Sequence, residues 1–121
     1  MNTRIASGML ALIFLASGSA KLATLDFEVA AFERWGYTPE FMYLTGLLEV
    51  AGGIGVLIKR LSALAAACLA ALMLGAVLTH LQHGEWPMLA LASSILALAV
   101  WRAWVGRQEI LALFGKTRRQ K

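Results

Sequence analysis

Four long apolar blocks, separated by polar stretches, dominate the pattern of hydrophobic and polar positions along the chain. They cover about residues 3–20, 41–58, 61–81 and 87–105. Because an α-helix rises about 1.5 Å per residue, about 20 apolar residues cross the roughly 30 Å hydrocarbon core of a bilayer. The pattern therefore predicts an all-α protein, a four-helix bundle that is integral to a membrane.

The edges of these blocks carry recognisable helix signals. The second span opens on Thr38-Pro39-Glu40, which supplies a capping hydroxyl, a proline at the first helical position and an acidic first turn. Only Lys59 and Arg60 separate the second span from the third, so these two helices must form a tight antiparallel hairpin.

The first block also has features of a secretory signal peptide. Arg4 precedes its apolar middle, and small residues end it. Cleavage would leave three spans and would remove the polar residues at the end of this block. We therefore interpret the block as a membrane helix.

Two shorter segments are amphipathic and are expected to lie in the membrane interface. Thr24 is placed to cap the first of them, which carries Asp26 and Glu28 in its first turn and ends near Trp35. The second covers residues 108–114 and should end before Gly115. The whole chain, residues 1–121, is thus predicted to be one domain with four spans and two short interfacial helices.

Composition and charge place the protein in a membrane and suggest its orientation. Hydrophobic residues make up 60% of the 121 positions and charged residues 15%, more apolar than a water-soluble domain of this size can bury. With both termini on one side, that side holds nine lysines and arginines, against Lys21 and Arg34 on the other. Because cytoplasmic loops retain positive charge, both termini are predicted to be cytoplasmic, in a bacterial inner membrane.

The net charge of +4 is not spread over a uniform basic surface. Five of the seven carboxylates fall on the outer side, so nucleic-acid binding is a poor interpretation. The basic tail, residues 115–121, is expected to contact anionic lipid headgroups of the bilayer.

No complete catalytic or cofactor motif is present in the sequence. The single cysteine, Cys68, lies inside an apolar block, which excludes a dithiol pair or a thiolate cluster within one chain. We predict no metal site and no intrinsic cofactor. Function must therefore be argued from polar residues inside the apolar blocks.

Glu49 is the clearest candidate functional residue. It lies near the middle of the second span, where an unpaired carboxylate would be costly, so it must face the protein interior or a wet cavity. Gly46 and Gly53 share its helical face and Gly52 lies nearby, so another backbone can approach closely. Two interpretations stay open: a packing seam with one protonated, hydrogen-bonded glutamate, or a proton, ligand or substrate site.

Arg102 lies in the fourth span. Its long side chain is expected either to snorkel to the inner surface or to reach toward Glu49.

Lys21 and His80 lie near the outer ends of the first and third spans. They can share one vestibule with Glu49 as its floor and with two nearby hydroxyl residues, Ser17 and Thr79. On straight helices, Glu49 and His80 differ in height by roughly 15 Å, so direct contact would need a kink, a tilt or bridging water. Alternatively, Lys21 snorkels to the headgroups and His80 forms hydrogen bonds at the interface.

Four motifs give the chain a family resemblance. Ser17-Gly18-Ser19-Ala20-Lys21 resembles the S-G-x-x-K signature of the DoxX and DoxX-like membrane proteins. FERWGYTP at 32–39 is similar to that family's F-x-x-x-G-x-x-P loop, and GLLEVAGG at 46–53 to its G-x-x-E-x-x-G-G helix. GAVLTHL at 75–81 looks like the end of the third span in the DoxX-like branch.

The resemblance implies a compact four-helix bundle whose polar interior is lined by Lys21, Glu49 and His80. Proteins that resemble this family include a quinone-linked thiosulfate oxidation subunit, a component of an oxidative-stress oxidoreductase complex, and a receptor-assembly chaperone branch. The fold alone does not select among these activities.

Three hypotheses follow. The favoured one is a ligand-binding or accessory subunit of a quinone-linked redox process, with a quinone as ligand and a membrane protein as partner. A second is an enzyme in which Glu49 and His80 act as acid and base; motifs for haem, flavin or iron–sulfur groups are missing, which argues against isolated catalysis. A third is a small-solute transporter or an assembly factor. Gly8 and the small residues of the third span also offer contacts for a homo-oligomer.

Overall fold

The computed structural model describes the backbone of residues 2–119 and the side chains of residues 2–115. Six helices follow one another: α1 (Thr3–Leu22), α2 (Asp26–Trp35), α3 (Pro39–Leu57), α4 (Ser62–Gln82), α5 (Trp86–Val105) and α6 (Arg107–Arg119). Four of them, α1, α3, α4 and α5, are long and apolar enough to cross a membrane. The described residues contain no strand, so the predicted all-α fold with four spans is confirmed.

Several predicted helix boundaries correspond to specific caps. The Thr38 hydroxyl accepts a hydrogen bond from the Phe41 N–H at 3.2 Å, with Pro39 directly after the cap. Gly36 ends α2 in the left-handed conformation, with φ 81°, which a glycine adopts without steric cost. The tight turn between α3 and α4 contains Lys59 and Arg60, as the sequence predicts.

Two predicted helix ends are wrong. Thr24 does not cap α2: it has φ 54°, and its hydroxyl donates to the Ala23 carbonyl, while Leu25 occupies the cap position without a side-chain bond. The chain reverses direction within three residues of α1, which forces Thr24 into the left-handed region. Gly115 does not end α6, which continues to Arg119, because one glycine costs a helix only about 1 kcal/mol.

Within the basic tail, residues 115–121, the side chains of residues 116–121 lie outside the described part of the chain. The predicted contact of the tail with lipid headgroups therefore stays a prediction.

The four spanning helices form a closed ring in which each contacts the next. α1 packs on α3, α3 on α4, α4 on α5, and α5 returns to α1. The helix α2 lies against α1 and α3 at the end where α1 finishes, and we call this the roof end. The helix α6 contacts α4 and α5 at the opposite end.

The interior and the outer surface of this ring are both apolar. Leu10, Phe14 and Leu69 are fully buried in the core. On the outside, large side chains stay uncovered, with Leu12 73% exposed and Leu47 57% exposed. A surface of this kind suits contact with a lipid bilayer. Lipid tails are as apolar as leucine, so the helices associate through close packing and polar contacts rather than through a hydrophobic driving force.

Glycines allow a close backbone approach between α1 and α3. A Cβ atom on Gly18 would lie 2.6 Å from the Gly46 carbonyl oxygen, and one on Gly46 would lie 2.9 Å from the Gly18 carbonyl oxygen. Gly53 faces Leu15 along the same interface, whereas Gly52 faces α4. Gly8 has nothing within 4 Å of its Cβ position in the chain, so it is not part of this seam.

Replacing Gly46 by alanine should destabilise the bundle. The new methyl group meets the Gly18 carbonyl oxygen and the Lys21 Cβ, neither of which can rotate away, so α1 and α3 must separate. Overpacking of this kind costs about 1–3 kcal/mol. The matched control is Gly8→Ala in α1, where open space should leave stability unchanged or slightly raised. Denaturant unfolding in micelles measures both variants, and equal stability of Gly46→Ala and wild type would contradict the seam.

Candidate functional site

A lysine and a glutamate form an ion pair inside the bundle. Lys21 near the end of α1 and Glu49 in the middle of α3 are both buried, and Lys21 Nζ lies 2.9 Å from Glu49 Oε1. Each residue follows a seam glycine, Gly18 or Gly46, by three positions and therefore shares its helical face. The close approach of the two backbones thus brings the charged side chains within reach of each other.

Ser17 and Glu28 complete this arrangement. Lys21 Nζ donates to Ser17 Oγ at 2.9 Å, and Ser17 Oγ donates to Glu49 Oε2 at 3.1 Å. Glu28 of α2 lies 3.5 Å from the same ammonium group. We call Ser17, Lys21, Glu28 and Glu49 the polar cluster. One lysine faces two carboxylates there, so the cluster can offer a ligand both an N–H donor and carboxylate acceptors.

One oxygen of Glu49 is left without a hydrogen bond. Oε1 is fully buried and accepts none from any residue that the structure describes, because the nearby Lys21 ammonium approaches it without hydrogen-bond alignment. The ion pair compensates the charge of this oxygen, and the oxygen can still accept a hydrogen bond from a ligand or a water molecule.

Aromatic rings cover the polar cluster at the roof end. They belong to Phe32, Trp35, Tyr37 and Phe41, and neighbouring ring centroids lie 5.1 to 6.3 Å apart in inclined arrangements. Such edge-to-face contacts stabilise a rigid aromatic layer. The layer separates the polar cluster from the membrane surface and offers flat apolar faces to the interior.

Glu85, in the loop between α4 and α5, fastens α2 to the bundle. Its Oε1 lies 2.8 Å from His80 Nδ1 and accepts a hydrogen bond from Trp35 Nε1 at 3.0 Å. Its Oε2 accepts one from Arg34 Nε at 3.0 Å, with Nη2 at 2.7 Å. The hydrogen bond to His80, followed by those to Arg34 and Trp35, lowers the pKa of Glu85 from 4.5 to about 2. The carboxylate therefore stays ionised through all ordinary conditions.

A third anchor joins the segment after α2 to α4. Thr79 donates its hydroxyl proton to the Gly75 carbonyl at 2.9 Å, so Tyr37 must be the donor in the 2.8 Å contact between the two hydroxyls. Together with the contacts of Glu28 and Glu85, this bond holds α2 at three separate points. The aromatic layer is consequently fixed relative to the polar cluster.

Two cavities meet at the polar cluster. The first, of about 260 Å³, lies between α3 and α4 beneath all four aromatic rings and reaches Lys21 and Glu49; we call it the ring cavity. The second, of about 400 Å³, lies beside α1 and α5 and reaches Lys21, Glu49 and His80; we call it the histidine cavity. Both are lined mainly by apolar side chains. The charged pair is the main polar feature of the ring cavity, whereas Glu28, Arg34 and His80 also line the histidine cavity.

The residues proposed from the sequence fall into two groups. Ser17, Lys21 and Glu49 are in direct contact, so the lysine points inward rather than to the headgroups. His80 is also buried and lines the vestibule foreseen from the sequence, but its partner is Glu85 and it makes no contact with Glu49. Thr79 is buried beneath the aromatic layer.

Sequence reasoning missed the residues that attach α2. The sequence predicts Glu28 only as a first-turn acid and Trp35 only as the end of an amphipathic segment, and it does not single out Tyr37. Glu85 carried a usable signal, because it follows His80 by five residues and directly precedes the Trp86 start of α5. An acid at the entry of one span and a histidine at the exit of the previous span are brought together by any short loop.

Arg102 takes neither of the two orientations considered from the sequence. It is buried near the end of α5, where its Nε donates to Ser7 Oγ at 2.9 Å. Its Nη2 lies 3.7 Å from Glu109 Oε1, because α6 folds back beside the end of α5. This second polar contact therefore joins α1, α5 and α6 at the end opposite the roof, far from Glu49.

Acid should loosen α2 through Glu85. Because the folded-state pKa is lowered, Glu85 contributes its full stabilisation above pH 4.5, and the contribution is lost as pH falls from 4.5 toward about 2. Hydrogen exchange of the α2 amides, corrected for intrinsic rates, should rise over this range in wild type. Glu85→Gln should show fast exchange at every pH, and Glu33→Gln, which changes an exposed acid of α2, should behave like wild type. Unchanged protection in Glu85→Gln would refute the anchor.

Comparison with known proteins gives one informative result. Residues 5–102 match the family model described as the DoxX-like family. That range includes all four spanning helices up to Arg102, together with the polar cluster and α2. Neither the curated proteins nor the solved structures gave a match. Since the family model matches most of its length, this multi-pass membrane protein belongs to the DoxX-like family.

Proposed function

We propose that this protein binds a small molecule of the quinone class in the ring cavity and serves as an accessory subunit of a membrane redox process. The observation that carries the proposal is the buried carboxylate oxygen of Glu49. Its charge is paired with Lys21, but it accepts no aligned hydrogen bond from the described residues, and it faces an apolar, ring-lined cavity of about 260 Å³. An apolar pocket with a few convergent polar groups is the usual form of a small-molecule site.

The residues present fit a quinone headgroup. Such a ring has two flat apolar faces, which suit packing against Phe32, Trp35 and Phe41, and oxygen atoms at its edge. Lys21 carries N–H donors that suit a quinone carbonyl, and Glu49 Oε1 would accept from the hydroxyl of the reduced quinol. The quinone, when bound, would supply the redox chemistry; the protein's residues bind and orient it and exclude water.

Electron transfer to or from such a ligand requires a partner protein in this proposal. His80 and Glu49 each reach the histidine cavity but do not contact one another. This separation disfavours the acid and base pair considered from the sequence, and supports a binding role over isolated catalysis.

We infer that the roof end faces away from the cytoplasm in a bacterial inner membrane. Of the eleven lysines and arginines, Lys21 and Arg102 are buried in the bundle and cannot act as surface charges. Without them, eight basic residues belong to the end with the termini and only Arg34 to the roof end. The asymmetry supports cytoplasmic termini.

A fluorescent-protein fusion at the carboxy terminus tests this orientation. It should fluoresce only if that terminus is cytoplasmic, and a dark but full-length fusion would contradict the orientation.

Ligand retention tests the proposed function. The protein is purified in native-lipid particles, and the co-purifying small molecules are identified by mass spectrometry. We expect wild type to retain a quinone and Glu49→Gln to lose it by about tenfold or more, a difference of about 1.4 kcal/mol. The amide removes the negative charge and replaces one of the two acceptor oxygens by a donor. Ser94→Ala is the control, since the Ser94 hydroxyl is exposed and bonds only its own helix.

Other outcomes would replace the proposal. Equal retention by wild type and Glu49→Gln, or no retained quinone, would show that the ring cavity is not a quinone site. A solute that crosses liposomes only in the presence of wild type would indicate a transporter. A membrane protein that co-purifies without any small molecule would indicate an assembly factor.

A further inference from the structure

A long groove runs down the outer face of the bundle between α3 and α4. It has a volume of about 570 Å³ and an almost wholly apolar lining. Its hollow shape follows from small residues at helical spacing on both walls. On α3 these are Ala51, Gly52 and Gly55, and on α4 they are Ala65, Cys68 and Ala71.

The groove adjoins the ring cavity. Ala71 and Leu72 line both spaces. Above them, the ring cavity continues along the same two helices to Thr45 and Gly75. From Thr45 to Gly55 the path covers ten residues of α3, about 15 Å, or roughly half of the hydrocarbon thickness.

The two spaces differ in chemistry in the way that the two parts of an amphiphile do. The ring cavity contains the charged pair and the carboxylate oxygen of Glu49 that accepts no aligned hydrogen bond from the described residues. The groove contains no charged side chain and is open along its length to the surrounding lipid. A molecule held by its head in the ring cavity would therefore direct an attached chain along the groove.

We propose that the α3–α4 groove holds the single long apolar tail of a ligand whose polar head occupies the ring cavity. The inference rests on the proposed function and extends it to the ligand's class: a membrane quinone with an isoprenoid tail, not a short soluble one. Lipid acyl chains compete for the groove, but only a tail attached to the head gains from the fixed position of the polar cluster. The tail contributes through packing in the groove, since water is excluded from both states.

A tail-length series tests this assignment. Quinones with one headgroup and tails of increasing length, from a single isoprene unit to four, are titrated into the full-length protein in micelles, and the bound fraction is measured by native mass spectrometry. Cys68→Trp fills the groove at an exposed position. Leu74→Trp is the control, since it adds the same ring to an exposed position of α4 outside the groove.

The ratio of wild-type to variant affinity for each quinone cancels partitioning into the micelle. For Cys68→Trp we expect this ratio to stay near unity for the shortest tail and to reach about tenfold for the longest. Leu74→Trp should give a ratio near unity throughout. Cys68→Leu fills less of the groove and serves as a second variant in case the tryptophan variant misfolds. It should give a smaller loss of affinity that also grows with tail length.

The outcomes separate this inference from the proposed function. A ratio for Cys68→Trp that does not depend on tail length, or an equal loss in Leu74→Trp, overturns the groove assignment while leaving the head site intact. If wild type binds neither short nor long quinones, the proposed function itself fails, and the groove assignment fails with it.

Discussion

A charged side chain inside the hydrocarbon region needs a partner of opposite charge. This constraint determines how the bundle is arranged at the roof end. Lys21 and Glu49 lie on neighbouring helices and meet at 2.9 Å only because glycines let α1 and α3 approach closely. Taking either partner away would leave an uncompensated buried charge, at a cost of about 3–5 kcal/mol. The ion pair therefore fixes the register of these two helices, and it also supplies the main polar feature of the ring cavity.

The same pair explains why α2 lies over the bundle instead of resting freely on the membrane surface. Glu28 reaches down to the Lys21 ammonium, and Glu85 holds Trp35 from the opposite side. With the aromatic layer fixed by these contacts, a space lined by rings remains between the layer and the polar cluster. The need to pair charges inside the membrane thus creates a shielded site, which combines an apolar lining with a few polar groups that point into it. The DoxX-like family match covers all of these elements.

The spans could be predicted because length and hydropathy alone decide whether a helix crosses a bilayer. Glu49 and Lys21 could be singled out because charge is rare within spans, but their contact could not, since it depends on which faces of α1 and α3 meet. The predicted cap at Thr24 was wrong because the turn after α1 was not foreseen. The spacing of Glu85 from His80 brings those two side chains together, but the bonds of Glu85 to Arg34 and Trp35 could not be predicted because they form only when α2 folds over the bundle.

The most direct test of this account is a double-mutant cycle on the ion pair. The free energy of unfolding in micelles is measured for wild type, Lys21→Met, Glu49→Leu and the double variant. The account predicts that each single variant loses about 3–5 kcal/mol, and that the double variant recovers most of this because the two buried charges are removed together and the remaining carboxylate, Glu28, is only partly buried. Additive losses in the double variant would contradict the central role of the Lys21–Glu49 pair.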